Sequence, residues 1–397
     1  MLIPGRRELG HLTYCTNIHP GETWPEVLAQ LRRHLPAIRE EAAGGRPFGL
    51  GLRLGAPAAE TLRTPAALDE LKAFLAAENS YVFTINAFPY GSFHGRPVKT
   101  EVYAPDWSTP ERLTYTNGIA GTLAELLPDG MRGSVSTVPA TYSAWAGGRM
   151  DAIRENYVRH AAHLVKLRER TSKDITLALE PEPKCLLEMI DETVRYFETE
   201  LFGDDAVALM RELTGLARGP AADALRHHLG VCYDVCHAAV EFEDARASLD
   251  LLRSKEIAIP KLQLSSALKV ERVGRETAAQ LKPFDEPVYL HQVVARSGTK
   301  FKRYLDLPEA LADIDATLGG EWRIHFHVPI FLAEMKHFAT TQDFLSEILA
   351  LHRETPISDH LEVETYTWDV LPERYRGVPV SLAIARELKW VLDRLAS

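Results

Sequence analysis

The feature that most constrains this chain is a rhythm. Short runs of strand composition alternate, almost from end to end, with stretches whose apolar residues fall at helical spacing. The strand-like runs are Leu12–Asn17, Phe48–Leu54, Tyr81–Ala87, Gly133–Val138, Asp174–Glu180, Leu229–Asp234, Pro260–Ser266 and Leu361–Tyr366. Between them lie helical stretches over Thr23–Ile38, Pro65–Ala77, Pro110–Leu127, Met150–Arg170, Ala245–Arg253 and Thr341–His352, and Val380–Leu395 closes the chain. Strands joined through helices are parallel, so eight of them predict an α/β fold, a (β/α)8 TIM barrel. Two long excursions interrupt the rhythm, one after the third strand (Phe88–Thr109) and one after the seventh. The second carries strand-like runs of its own at Val288–Val294 and Trp322–His327. No linker or compositional break divides residues 1–397, which reads as one domain. A doubly wound open sheet is the runner-up, but no Gly-rich phosphate loop follows the first strand.

Alternation along the strands puts polar groups on one face near their C-terminal ends, where barrels do their chemistry. Glu180 shares a face with Thr176, Asp234 with Cys232, and Gln263 with Ser265. His325 and His327 stand against Ile324 and Phe326, Glu362 and Glu364 against Leu361 and Val363, and the first and third strands add Asn17 and Asn86. Apolar partners facing the helices would turn this polar set toward the barrel axis. Converging buried carboxylates need a cation among them.

The segment Leu229-Gly-Val-Cys-Tyr-Asp-Val-Cys-His237 concentrates the question. A turn after Asp234 can bring the His237 imidazole beside its carboxylate, a pair that divalent metals accept. The same spacing also fits an Asp at a helix N-cap followed by a His in the first turn. Cys232 and Cys236 read as core filler, and the four cysteines of the chain as reduced thiols.

Composition narrows the partners. The formal net charge of −10 has no block of like charges, which argues against a sequence-independent nucleic-acid binder. No apolar run reaches the length of a membrane span, and the first residues lack a signal-peptide pattern, so the expected location is cytoplasmic.

Gly230-Val-Cys-Tyr-Asp-Val-Cys-His-Ala238 resembles the sixth-strand signature of the xylose-isomerase-like barrels, that of endonuclease IV above all. Glu180, the Leu262-Gln-Leu264 segment, the His-x-His run and Glu364-Thr365 follow in the same order. The resemblance implies metal ligands at Glu180, Asp234, His237, His327 and Glu364, with His325 as a further candidate. Those relatives usually present a histidine on the seventh strand, where Gln263 stands here. That departure points to one or two ions of zinc, manganese or magnesium rather than three. Three further phrases, Tyr14-Cys-Thr-Asn-Ile-His-Pro-Gly21, Asn86-Ala-Phe-Pro-Tyr-Gly91 and Val363-Glu-Thr-Tyr-Thr-Trp368, are similar to EboE. That family is linked to gene clusters for moving a secondary-metabolite precursor out of the cytoplasm. It implies a small-molecule substrate and other Ebo pathway proteins as partners.

The expected chemistry is isomerisation or epimerisation. A metal held by Glu180, Asp234, Gln263 and Glu364 would bind adjacent oxygens of a polyol or keto compound. Glu180 and Glu364 would exchange the proton, with His237 as a further catalytic candidate. Asn17, His19, Asn86, His94 and Arg296 are candidate substrate contacts, and Lys300 a lesser one. Metal-dependent phosphoester hydrolysis and non-catalytic metabolite binding are the alternatives.

Overall fold

A computed structural model describes residues 1–396. The eight barrel strands are β1 (His11–Tyr14), β2 (Phe48–Arg53), β3 (Ser80–Asn86), β4 (Arg132–Thr137), β5 (Asp174–Leu179), β6 (Leu229–Asp234), β7 (Lys261–Leu264) and, last in the chain, His360–Val363. Their order is that of the sequence, and every pairing is parallel. A parallel bridge from Cys15 to Gly51 joins the two ends of the sheet, and the Gly51 and Arg53 amides donate to the Thr13 and Thr16 hydroxyls alongside it. The result is a nearly closed (β/α)8 barrel.

The helices form for local reasons. In Trp24–Ala43, Pro25 starts the first turn and the Glu26 carboxylate accepts from the Thr23 amide. Trp24, Val27, Leu28, Leu31, Leu35 and Ile38 face the core, and Gly44 ends the helix at a φ of 55°. The main hydrophobic core reaches from Met1 to Leu395 and lies between the strands and this outer ring of helices.

Between β7 and the last barrel strand the chain builds a second sheet. Its strands are β8 (Leu268–Val270), β9 (Val293–Ser297), β10 (Lys300–Tyr304), β11 (Glu321–Ile324), β12 (Glu334–Met335) and β13 (Phe338–Thr340), all antiparallel, so the last barrel strand is β14. The run at Trp322 therefore belongs to this sheet. His325 and His327 lie just past the end of β11, and they are carried to the barrel mouth from outside it.

Inside the barrel, below the mouth, the packing is polar. The Lys261 ammonium sits 2.7 Å from Glu362 Oε1 and 3.1 Å from the Ser136 hydroxyl, with both charged side chains wholly enclosed. Burial is the largest influence on the Lys261 ammonium and opposes its charge, but Glu362, Cys232 and Cys15 together raise it above its ordinary range. Gly51 makes room for this pair: a Cβ there would meet Glu362 Oε2 at 1.8 Å. Gln263 lies in register with both Asp234 and Glu362 and is fully buried, and neither of its amide atoms has a hydrogen-bond partner.

Candidate metal centre

Three carboxylates meet at the C-terminal mouth of the barrel. Glu180 follows β5, Asp234 ends β6 and Glu364 follows β14. All three are buried, and one oxygen of each lies within 4.8 Å of the others. Glu364 Oε1 accepts hydrogen bonds from Asn17 Nδ2 at 2.7 Å and Asn86 Nδ2 at 3.1 Å, which fixes its orientation. Glu180 Oε2 and Asp234 Oδ2 are buried without any partner. Burial, then the charge of Asp234 and of Glu362, raises the Glu364 carboxyl to about 8. Burial and the charges of Glu364 and Asp234 raise Glu180 in the same direction. Like charges this close are mutually destabilising until a cation or a proton intervenes.

Asp234 reconciles the two readings of its segment. Its Oδ1 caps the turn Val235–Val240 by accepting from the His237 amide at 3.1 Å, and also accepts from the Ser265 hydroxyl at 2.7 Å. Its Oδ2 is the unpartnered atom, 3.9 Å from His237 Nε2. One carboxylate serves both as cap and as donor.

Beside the carboxylates three imidazoles converge. His237 Nε2 and His327 Nε2 each lie 3.1 Å from His325 Nε2. On the far side of each ring, Nδ1 is engaged. His237 Nδ1 donates to the Pro181 carbonyl at 2.9 Å and His327 Nδ1 to the Glu364 carbonyl at 2.7 Å. His325 Nδ1 bonds Gln292 Oε1 at 2.7 Å. The Gln292 amide nitrogen is itself spent on Glu182, Tyr103 and the Pro183 carbonyl, so its oxygen faces His325. Carbonyl oxygens only accept, so the ring protons sit on Nδ1 and, in neutral rings, the Nε2 lone pairs of His237 and His327 both face that of His325. Burial, then the charges of the neighbouring imidazoles, lowers His325. Burial also dominates for His327, which lies at about 4, so these two rings are neutral near pH 7.

Lone pairs facing at 3.1 Å have no hydrogen bond to make. A cation bonded at 2.0–2.1 Å would set its ligand nitrogens about 3.3 Å apart in tetrahedral geometry and about 2.9 Å apart in octahedral geometry, which brackets what is found. The Nδ1 contacts are of the kind that orients metal-bound imidazoles. The donor set fits a divalent ion.

The site contains residues that sequence patterning missed. Glu182 groups with His237 and His325 within 4.8 Å, and it accepts from Tyr103 Oη at 2.8 Å and Gln292 Nε2 at 3.0 Å. It stands two residues past Glu180 in Glu180-Pro-Glu182-Pro, beyond the end of β5, where strand alternation no longer applies. Cys236 groups with His325 and His327 as well, though burial pushes its thiol well up.

The expected substrate contacts divide. Asn17 and Asn86 line the cavity over the carboxylates. His94 is absent from the cavity wall, bonded through Nε2 to the Asn17 carbonyl at 2.6 Å and through Nδ1 to Tyr289 Oη at 2.7 Å. His19 is absent from the cavity wall. It stacks on His34 at 4.4 Å and bonds the Tyr14 hydroxyl. Arg296 is absent too: it lies on β9, 2.5 Å from Glu321 and over the Phe242 ring. Lys300 is an exposed residue of β10. Sequence spacing gave no register for the second sheet, so it could not show which way these basic side chains face.

The cavity opens to solvent and holds about 520 Å³ of atom-free space, of which about 60 Å³ is accessible to the centre of a water molecule. Glu180, Glu182, Glu364, His237 and His325 form part of its wall. Over them Phe93, Tyr289 and Tyr366 pack ring against ring at 5.0–5.2 Å.

No protein-family model matches the chain, and no curated protein does. Among solved structures, similar ones include xylose-isomerase-like barrels. The IolI protein with a binding zinc atom is 14% identical, with 97% of this chain and 98% of that one covered and a TM-score of 0.45. A D-tagatose 3-epimerase-like protein is 10% identical over 97% and 98%, at 0.49. A xylose isomerase domain protein from Alicyclobacillus acidocaldarius is 11% identical over 97% and 100%, at 0.45. The barrel itself is established by the strand pairings of this chain.

Proposed function

We propose that this protein is a divalent-metal-dependent isomerase or epimerase-like enzyme acting on a small, oxygen-rich molecule. The observation that carries the reading is the convergence of three Nε2 lone pairs beside unpartnered carboxylate oxygens, an arrangement that makes physical sense around a cation. Zinc or manganese suits the mixed nitrogen and oxygen donors better than magnesium. His237, His325 and His327 with Asp234 would hold one ion. Glu180, Asp234 and Glu364 would hold or share a second, with Glu182 and the amide of Gln263 as further donors. A metal bound there supplies Lewis acidity toward a substrate carbonyl or hydroxyl.

The chain's own groups supply the rest. Glu180, with a free Oε2 at the cavity, is placed to take a proton from a substrate carbon. Glu364, steadied by Asn17 and Asn86, is placed to return it. The aromatic cover excludes bulk water from the exchange. The link to metabolite traffic, to Ebo partners and to a cytoplasmic location rests on the EboE resemblance and belongs to this proposal. Metal-dependent phosphoester hydrolysis is the second reading, favoured by one observation: Asp234 belongs to both a carboxylate group and a histidine group, as in sites that clamp two ions.

Elemental analysis of protein purified without chelator tests the first claim, beside Asp234→Asn and a His325→Ala/His327→Ala double variant. Wild type should carry zinc or manganese, and the variants much less. Equal, negligible metal in all three would sink the reading. Proton–deuterium exchange into an α-hydroxyketone substrate, without phosphate release, separates isomerase from hydrolase.

A further inference from the structure

We infer that the substrate is an uncharged compound in which a vicinal pair of oxygens is joined to an apolar or aromatic group, and not a sugar phosphate. This rests on the metal-dependent reading above and assigns its substrate class.

Away from the carboxylates, the imidazoles and the Asn17 and Asn86 amides, the cavity wall is mostly carbon. Phe88, Pro89, Val98, Val102 and Leu290 line it together with the Phe93 ring. A polyol or phosphorylated sugar would leave its outer hydroxyls or its phosphate unpaired against these carbons, which is costly. An anionic group would also need a cation. Lys99 is the only basic side chain of the wall other than its imidazoles, and it is committed. Its Nζ contacts Asp306 Oδ2 at 2.6 Å, the Tyr289 carbonyl at 2.7 Å and the Glu286 carbonyl at 3.3 Å. Arg53, beneath the Phe93 ring, is outside the cavity wall, and its two terminal nitrogens are engaged by Glu22 and the Gly21 and Gly91 carbonyls. Five carboxylates are buried around the barrel axis, Glu180, Glu182, Asp234, Glu362 and Glu364, against the single ammonium of Lys261, so the charge of a bound divalent ion is already balanced by the chain and leaves no surplus cation for a substrate anion.

One donor remains for a neutral oxygen. Among the described residues the Tyr366 hydroxyl makes no hydrogen bond, and its ring forms part of the cavity wall 4.5 Å from the His327 ring. A phenol hydroxyl both donates and accepts, so from this position it can donate to a carbonyl or hydroxyl beside the metal. Tyr366 and the carboxylates thus address the oxygen-bearing end of the ligand, and the apolar wall addresses the other.

Isothermal titration calorimetry on the zinc- or manganese-loaded full chain tests this with three probes. 2-Hydroxyacetophenone carries the ketol and a phenyl group, dihydroxyacetone the ketol alone, and dihydroxyacetone phosphate the ketol and an anion. The phenyl ketol should bind at least tenfold more tightly than dihydroxyacetone, and the phosphate no more tightly than dihydroxyacetone. Phe88→Ala should weaken phenyl-ketol binding at least fivefold more than it weakens dihydroxyacetone binding. Val102→Ser, at a half-buried position, repeats that comparison should Phe88→Ala fail to fold. Tighter binding of the phosphate, or no binding of any probe, overturns the inference while leaving the metal reading intact. Equal phenyl-ketol binding by loaded and metal-free protein breaks the metal reading and leaves the apolar class standing.

Discussion

Glu362 and Glu364 stand two residues apart, face the same barrel interior and are equally buried, yet their surroundings differ. Glu362 lies against the ammonium of Lys261, the partner that the chain supplies. Glu364 meets two amide donors and two more carboxylates, and the chain supplies no cation at its level. A charge neutralised from within serves the barrel's stability. A charge left open at the mouth is an invitation to something from outside.

The largest effect should come from breaking the internal pair. Lys261→Met leaves Glu362 buried and unpaired, and should cost about 3–5 kcal/mol of stability, read by urea denaturation. Adding Glu362→Leu should recover most of that loss. If the single variant is as stable as wild type, the lower layer is not the closed ion pair described here.

Filling the open site comes next. Zinc or manganese at a hundredfold excess over its dissociation constant should stabilise the fold by about 2.7 kcal/mol, seen as a Tm rise that chelation reverses. Lys261→Met should retain this response in proportion, whereas Asp234→Asn should lose it.

The pH dependence sharpens the contrast further. A carboxyl held at about 8 when folded, against an ordinary 4.5, binds its proton more tightly folded than unfolded. Its contribution is therefore fully present below pH 4.5 and lost as the pH rises through about 8. Metal-free protein should lose on the order of 1 kcal/mol or more over this window. The metal-loaded protein should not. Metal-free Glu364→Gln should show a shallower slope, and an unchanged slope would locate the proton elsewhere.

The smallest effect is expected at Arg296. With 40% of its side chain exposed and Glu321 as its partner, Arg296→Ala should change stability by less than about 0.5 kcal/mol and leave metal content untouched. A lost metal response there would tie the second sheet to the site through its outer face.

Much of this was legible in the chain. Alternation of strand and helix placed all eight barrel strands to within a few residues, because parallel strands buried on both faces read as short apolar runs between helical ones. The same alternation put Glu180, Asp234 and Glu364 on one face. It did not reveal Glu182, which follows a proline outside the strand. Nor did it show that His325 and His327 arrive from an antiparallel sheet, or that Arg296 and His19 turn away from the cavity. Those facts depend on contacts between segments far apart in sequence.

Sequence alone determined the fold class and the polar face of the barrel, since both follow from the period of side chains along a strand. Tertiary structure decided which polar groups find a partner. Lys261 reaches Glu362 across a gap that Gly51 leaves open, while His237 and His327, each turned by a hydrogen bond behind it, both face His325. Partnering depends on distances across the barrel, and no local pattern encodes those.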